Sequence, residues 1–192
     1  MIHTAAIEDK KRIIDTLVLG MSADPVLRWY FPESHSYLAN IPTFMDLIGG
    51  AAFEQGTAFH TDDFSCTALW LPPNVHPDAE AIQQFLTDKL DGCLLQRARA
   101  LEEQFSRLDP ENPCWHLAVI ACDPAHIGKG LGSELIRHVL RICDECRYQV
   151  YLVSSSPANA RLYERFGFRK ITEITAPSTP SVIAMMRGSA SG

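Results

Sequence analysis

The segment CWHLAVIACDPAHIGKGLGS, residues 114–133, joins an apolar run to a glycine-rich turn. The run from Trp115 to Cys122 has the length and apolar content of a buried strand. Beyond the turn, residues 129–143 carry Leu131, Leu135, Ile136, Val139, Leu140 and Cys143 at helical spacing, leaving Glu134, Arg137 and Arg141 for the wet face. Strand, glycine turn and helix in succession predict an α/β layer structure. The first amides of such a helix have no acceptor inside it, and its dipole adds positive potential, so the turn favours an anion, phosphate above all. Glycines at 128, 130 and 132 take away side chains that would keep a phosphate off those amides, and Lys129 adds a cation. A tight turn that lets the helix pack closely on the sheet accounts for the same glycines equally well. Two other phosphate motifs do not fit. A P-loop needs glycine where Asp123 stands and Ser or Thr where Gly130 stands. A dinucleotide fingerprint needs glycine at Ser133, which leaves a nucleotide-dependent oxidoreductase as a poor alternative.

Outward from this segment the alternation continues. YQVYLVS (148–154) reads as the next strand and SPANARLYERFG (156–167) as a short helix, with Ser156 as cap and Pro157 in the first turn. FRKITEI and SVIAMMR form a final strand pair across APSTP (176–180), before a frayed SASG tail. Towards the N-terminus, Asp78 caps a helix through AEAIQQFLTDKL that extends to about Arg107. Thr57–His60 and Ser65–Leu71 read as a hairpin. Residues 7–19 form an amphipathic helix, and 37–52 a further helical stretch with Pro42 near a helix start.

At 192 residues the chain suits one domain. Its net charge of -6, without a Lys/Arg run, argues against nucleic-acid and anionic-membrane partners, which need a basic footprint. The N-terminus, with charges in its middle, lacks the apolar stretch of a signal peptide or membrane span, so a cytoplasmic location is expected. The six cysteines show no disulfide-framework spacing and are expected to be reduced. The C-x-x-C of Cys143 and Cys146 lacks the second ligand pair that zinc would want, so no metal is expected.

The ACDPAHIGKGLGSELI stretch resembles the motif of the GNAT superfamily: strand, V-x-P, then Q/R-x-x-G-x-G/A opening a helix. Here Ile127 stands where Arg or Gln is usual. Residues 155–168 resemble the family's N-x-x-x-x-Y-x-x-x-G-F helix, in the right order and at the right separation. A weaker likeness, ALWLPP at 68–73, is to the puromycin-acetyltransferase-like branch. The resemblance implies a single α/β (α+β) domain, its central mixed, mostly antiparallel sheet splayed between two middle parallel strands and flanked by helices. About 1–110 would form the acceptor side and about 114–187 the acetyl-CoA side. It implies an N-acetyltransferase with acetyl-CoA as co-substrate and a small-molecule amine as acceptor, as monomer or homodimer. A non-catalytic acyl-CoA sensor of the same fold is the alternative.

Carried over by position, Ile120, Ala121 and Cys122 would line pantetheine through their backbone. Ile127, Gly128, Lys129, Gly130, Leu131, Gly132 and Ser133 would form the phosphate cradle. Ser155 and Asn159 would also meet the cofactor, and Tyr163 would protonate the departing thiolate. No general base is evident. His116 lies six residues from Cys122, about 20 Å along a strand, and is set aside. His60, Asp62, Asp63 and Glu33 remain candidates for the acceptor wall.

Overall fold

The computed structural model describes residues 1–108, 110, 112–175 and 178–189. In chain order its first half comprises β1 (Ile2–Thr4), α1 (Lys10–Gly20), α2 (Pro25–Tyr30), α3 (Ser34–Gly49), α4 (Ala51–Glu54), β2 (Ala58–Thr61), β3 (Cys66–Leu71), α5 (Ala79–Lys89) and α6 (Gly92–Ser106). The second half comprises β4 (Trp115–Cys122), α7 (Leu131–Glu145), β5 (Val150–Ser154), α8 (Pro157–Glu164), β6 (Arg169–Ile174) and β7 (Val182–Arg187). The strands form one mixed sheet in the order β1-β2-β3-β4-β5-β7-β6, with β4 and β5 its parallel neighbours. The expected single α/β domain and the strand-turn-helix order around residue 122 are both present.

Each face of the sheet carries its own core. Ile13, Ile14, Leu17 and Val18 of α1 pack with α2, α3, α5 and α6 on one face; Leu135, Ile136, Val139, Leu140 and Cys143 of α7 pack with Tyr163 of α8 on the other. At about 1.5–3 kcal/mol per fully buried aliphatic side chain, these stripes hold the layers to the sheet. α1 ends against β4: a Cβ at Gly20 would lie 2.5 Å from the Cys122 carbonyl oxygen, so a larger residue would push the helix off the strand.

Several expectations need correction. β1, a three-residue edge strand paired with β2, was not foreseen. Pro42 lies inside α3 rather than at a helix start. Burial of Tyr37, Ile41, Phe44 and Met45, at about 1.5–3 kcal/mol each, outweighs the roughly 3 kcal/mol that an interior proline costs. The helix expected from Asp78 to about Arg107 is two helices packed on each other. Leu90 is extended and Gly92 takes φ +49, which turns the chain between them. Ala176 and Pro177 of the expected APSTP connection, and residues 190–192 of the tail, lie outside the described residues.

The reading of six reduced cysteines is also overturned, because Cys66 and Cys122 form a disulfide. They are far apart in sequence, but the antiparallel β3–β4 register sets them directly opposite each other. The C-x-x-C pair is free, with Cys143 buried and Cys146 exposed. Burial pushes the Cys143 thiol up to about 12, so it is inert. Closing a loop of sequence separation 56, the bridge should stabilise the fold by about 2–4 kcal/mol. Reduction with a dithiol is therefore expected to lower Tm by roughly 5–15 °C, and Cys66→Ser should show the same loss and no further response to reductant. A wild-type melt indifferent to reductant would mean that the bridge does not form in solution.

Candidate functional site

The glycine turn begins where Asp123 accepts the Ala125 amide at 2.8 Å, capping a 3-10 turn over Pro124–His126. Gly128 and Gly130 both take φ +84, and a Cβ at either would meet no atom within 4 Å. A Cβ at Gly132 would make only ordinary contact, 3.7 Å from Cys122 Sγ and 3.9 Å from Cys66 Sγ. Close packing on the sheet thus requires none of the three, while the left-handed backbone requires two, and the space above them is open. α7 starts without a side-chain cap, and its first internal bond runs from the Glu134 amide to the Gly130 carbonyl. The amides of Leu131, Gly132 and Ser133 therefore have no acceptor within the helix. Lys129 is exposed and makes no ion pair with a described residue, and Ile127 is 69% exposed.

Beside this turn the sheet opens. The parallel ladder pairs Trp115 with Val150, His116 with Tyr151 and Leu117 with Leu152, and then stops. From Val119 to Cys122, β4 keeps its β3 partner on one edge and pairs with no described strand on the other. Opposite the step from Leu69 to Trp70, β4 carries Ala118 as an extra residue, a bulge that reverses which side chains face which core. Trp115 and Leu117 join the core under α7, while Val119 and Ala121 join the one under α1. Ile120 and Cys122 pack toward α7.

At the opening, on the α1 face, lies a cavity of about 260 Å³ walled by α2, α3, α5, α6, β4 and β5. Its wall is largely apolar, with Tyr30, Phe44 and Phe105 among the aromatics. It also holds Asp24, Glu102, His116 and Ser155 and no Lys or Arg. Asp24, 9% exposed, is fully engaged. One oxygen accepts the Val26 and Leu27 amides at 2.9 and 3.0 Å, capping α2, and the other accepts the Ser155 hydroxyl at the end of β5. Among the described residues, Glu102 accepts one hydrogen bond, from the Tyr30 hydroxyl at 2.6 Å. Burial raises its pKa, against the opposing effect of that bond. Both residues passed unnoticed in the sequence, because nothing in the spacing of Asp24 and Glu102 relates them.

Tyr163 lies in the core under α7, 8% exposed, with its ring edge-on to Phe168 at 5.9 Å. Burial, and after it the charge of Asp24, holds its phenol far above the usual range, so it is fully protonated near neutral pH. Its hydroxyl makes no hydrogen bond to a described residue. Ser156 caps α8 by accepting the Asn159 amide at 3.2 Å, as expected, and Asn159 is exposed one turn before Tyr163.

The four acceptor-side candidates do not reach the cavity. His60 stacks against Phe64, with ring centroids 3.8 Å apart. Asp62 pairs with the terminal amine and His3, while Asp63 binds Thr61 and the Ser65 amide in the hairpin turn. Glu33 precedes α3, exposed and without a side-chain cap bond. His116, set aside for its distance along the strand, lines the cavity, because the cavity runs along the first half of β4, past His116, Ala118 and Val119, rather than lying at its far end. Burial, and less so the charge of His76, pulls its pKa down to about 4.

Between pH 6.5 and 4 the unfolded chain protonates this histidine and the folded one does not, so stability falls as pH falls through that window. The full effect is roughly 3 kcal/mol. Between pH 6.5 and 4 the stability lost by wild type in urea melts should exceed that lost by His116→Gln by about this total; parallel pH profiles would show a solvated imidazole.

Comparison with known proteins agrees with this fold. Residues 53–168 match the model of the acetyltransferase (GNAT) family. An uncharacterized N-acetyltransferase of Schizosaccharomyces pombe is 24% identical over 181 residues, covering 84% of this chain and 71% of the relative. Among solved structures, a histone acetyltransferase HPA2 and related acetyltransferase from Corynebacterium glutamicum superposes with TM-score 0.68 at 21% identity. That match covers 100% of this chain and 97% of the other. A polyamine N-acetyltransferase of Drosophila melanogaster, which forms N-acetylagmatine, gives 0.69 at 15% identity, with 98% and 99% covered.

Proposed function

The chain belongs to the GNAT acetyltransferase family, and from that premise we propose that it moves the acetyl group of acetyl-CoA to the primary amine of a small molecule by direct attack. The observation that carries this reading is the parting of β4 from β5 after Leu117 and Leu152, beside an open, uncapped glycine turn. Bound acetyl-CoA supplies an activated acyl group as a thioester. Amides of the turn and the first turn of α7, from Gly128 to Ser133, would hold its phosphates, with Lys129 as counter-charge and Ile127 offering only an apolar surface. Free backbone groups on β4 from Ile120 to Cys122 would bond pantetheine as a missing strand would. The bridge at Cys122 occupies only its side chain.

The acceptor amine would enter by the cavity on the α1 face and meet the thioester at the gap. The apolar wall favours delivering the amine uncharged, as attack requires. As the carbon–sulfur bond breaks, Tyr163 would give its hydroxyl proton to the leaving sulfur and recover one from solvent. Asn159 and Ser155 flank that position, and Asp24 fixes Ser155 there. The Drosophila neighbour's small N-acetylated product supports a small-molecule acceptor by likeness of fold. The proposed compartment is the cytoplasm, where a bridge such as Cys66–Cys122 is the exception rather than the rule.

Acetyl-CoA binding is expected to raise stability by about 2.7 kcal/mol at a hundredfold excess over Kd. NAD and ATP should do much less in the same thermal-shift series. Equal shifts would show a generic phosphate site, and binding without thiol release across an amine panel would leave an acyl-CoA sensor.

A further inference from the structure

The bridge between Cys66 and Cys122 joins β3 to β4 at a place where no backbone bond does. One residue further on, the Asp123 amide donates to the Ser65 carbonyl at 2.8 Å, which makes Ser65 and Asp123 a hydrogen-bonded pair. In an antiparallel ladder such pairs alternate with narrow pairs that exchange no backbone bond, so Cys66 and Cys122 form a narrow pair. The Cys66 amide turns away from β4 and donates to Thr61 Oγ1 at 3.1 Å. The amide and carbonyl of Cys122 correspondingly face the other edge of β4, where no described strand pairs with it. Both sulfurs also lie under the first turn of α7: a Cβ on Gly132 would be 3.7 Å from Cys122 Sγ and 3.9 Å from Cys66 Sγ. One covalent bond thus fixes the strand end on which the glycine turn and the start of α7 rest.

We infer that the Cys66–Cys122 bridge is a redox switch on acetyl-CoA binding, which holds the free edge of β4 and the glycine turn together when closed and releases them when open. The inference rests on the acetyltransferase reading of the same site. In a cytoplasmic protein a disulfide is usually a transient or redox-sensing one. A narrow pair sets its Cα atoms about 4.5 Å apart, at the lower limit of what a disulfide spans without strain, and bridges so placed are the more readily reduced. Cys66 is fully buried but Cys122 is partly exposed, so an external dithiol meets the bridge from that side. A thiolate of the dithiol attacks Cys122 Sγ and expels the Cys66 thiolate, and its second thiolate then resolves the mixed disulfide. Two electrons and two protons pass to the cysteines, and the dithiol leaves as a disulfide; an external disulfide reverses the exchange. With the bridge open, the last residue of β4 is held to β3 only through its neighbours, and the edge that would bond pantetheine loses its fixed position. The coupling is reciprocal, so bound cofactor protects the bridge by the factor by which the bridge tightens binding.

The test reduces the wild type with a phosphine, removes the reductant in the absence of air, and titrates acetyl-CoA by calorimetry at a temperature where circular dichroism shows both forms folded. The reduced protein should bind about 5- to 150-fold more weakly than the oxidised one, the usual range of coupling between two sites, and recover on treatment with an oxidised dithiol. Cys66→Ser should bind as the reduced protein does and ignore both treatments. A bridge that merely stabilised the fold would leave the affinity of the folded protein unchanged, so equal affinities of oxidised and reduced wild type overturn the inference without recourse to any variant. It is overturned as well if S-ethyl-CoA, a thioether analogue that thiols do not cleave, leaves the reduction of the bridge by a dithiol as easy as before. Failure of both forms to bind acetyl-CoA defeats the acetyltransferase reading beneath, and the inference with it.

Discussion

Tyr163→Phe is expected to bind acetyl-CoA nearly as wild type does and to lose turnover by about 10²- to 10⁴-fold, the usual contribution of general acid catalysis. The substitution removes one oxygen and keeps the ring that packs against Phe168. Tyr163 is mostly buried, and its hydroxyl bonds to no described residue, so the fold loses little with it. Burial and the charge of Asp24 keep the phenol protonated at any pH near neutral, so the group can give a proton but not take one. The loss should therefore appear in kcat and in kcat/KM alike, the signature of an interaction made only in the transition state. It should be larger for amines whose reaction is limited by thiolate departure. Single-turnover rates with an accepted amine decide the matter. A Phe variant at the wild-type rate would make Tyr163 a packing residue and leave water to protonate the thiolate.

Gly130→Asp should weaken acetyl-CoA by about a hundredfold or more with the fold retained. The left-handed φ of +84 at Gly130 is one that Asp tolerates better than most residues, and the added Cβ meets no atom within 4 Å, so the cost to folding is small. The carboxylate would enter the open space above the uncapped amides. There it would compete with phosphate for the same donors and repel it, and each charge-assisted bond lost is worth about 1.5–3 kcal/mol. Calorimetry with acetyl-CoA reads the effect, and Gly130→Ala supplies the control for backbone strain without added charge. Unchanged affinity in the Asp variant would remove the turn from the binding site.

Much of the second half of the molecule was legible because its signals are local. The stripe of Leu135, Ile136, Val139 and Leu140, the cap at Ser156 with Pro157 behind it, and the run from Trp115 to Cys122 each depend on neighbours a few residues away, and each element forms near where its pattern puts it. The first half was read less well. Pro42 should end a helix by its own preference, yet the packing of four buried side chains around it decides otherwise. The turn at Leu90 and Gly92 carried little punctuation, and the periodicity on either side reads as one helix.

The sequence by itself determined the α/β class, the strand-turn-helix unit with its glycine turn, and the pair Asn159 and Tyr163 one helical turn apart, because all of these follow from spacing along the chain. Only the tertiary structure decided which residues meet across it. The bridge joins Cys66 to Cys122 because an antiparallel register sets them opposite. The bulge at Ala118 turns Val119 toward the α1 face, and the sheet opens just beyond Leu117. His116, near the start of β4, thereby lines a cavity, with Asp24 and Glu102, 78 positions apart, brought to the same space. Such contacts depend on register and on the packing of layers, which one residue's neighbours along the chain do not encode.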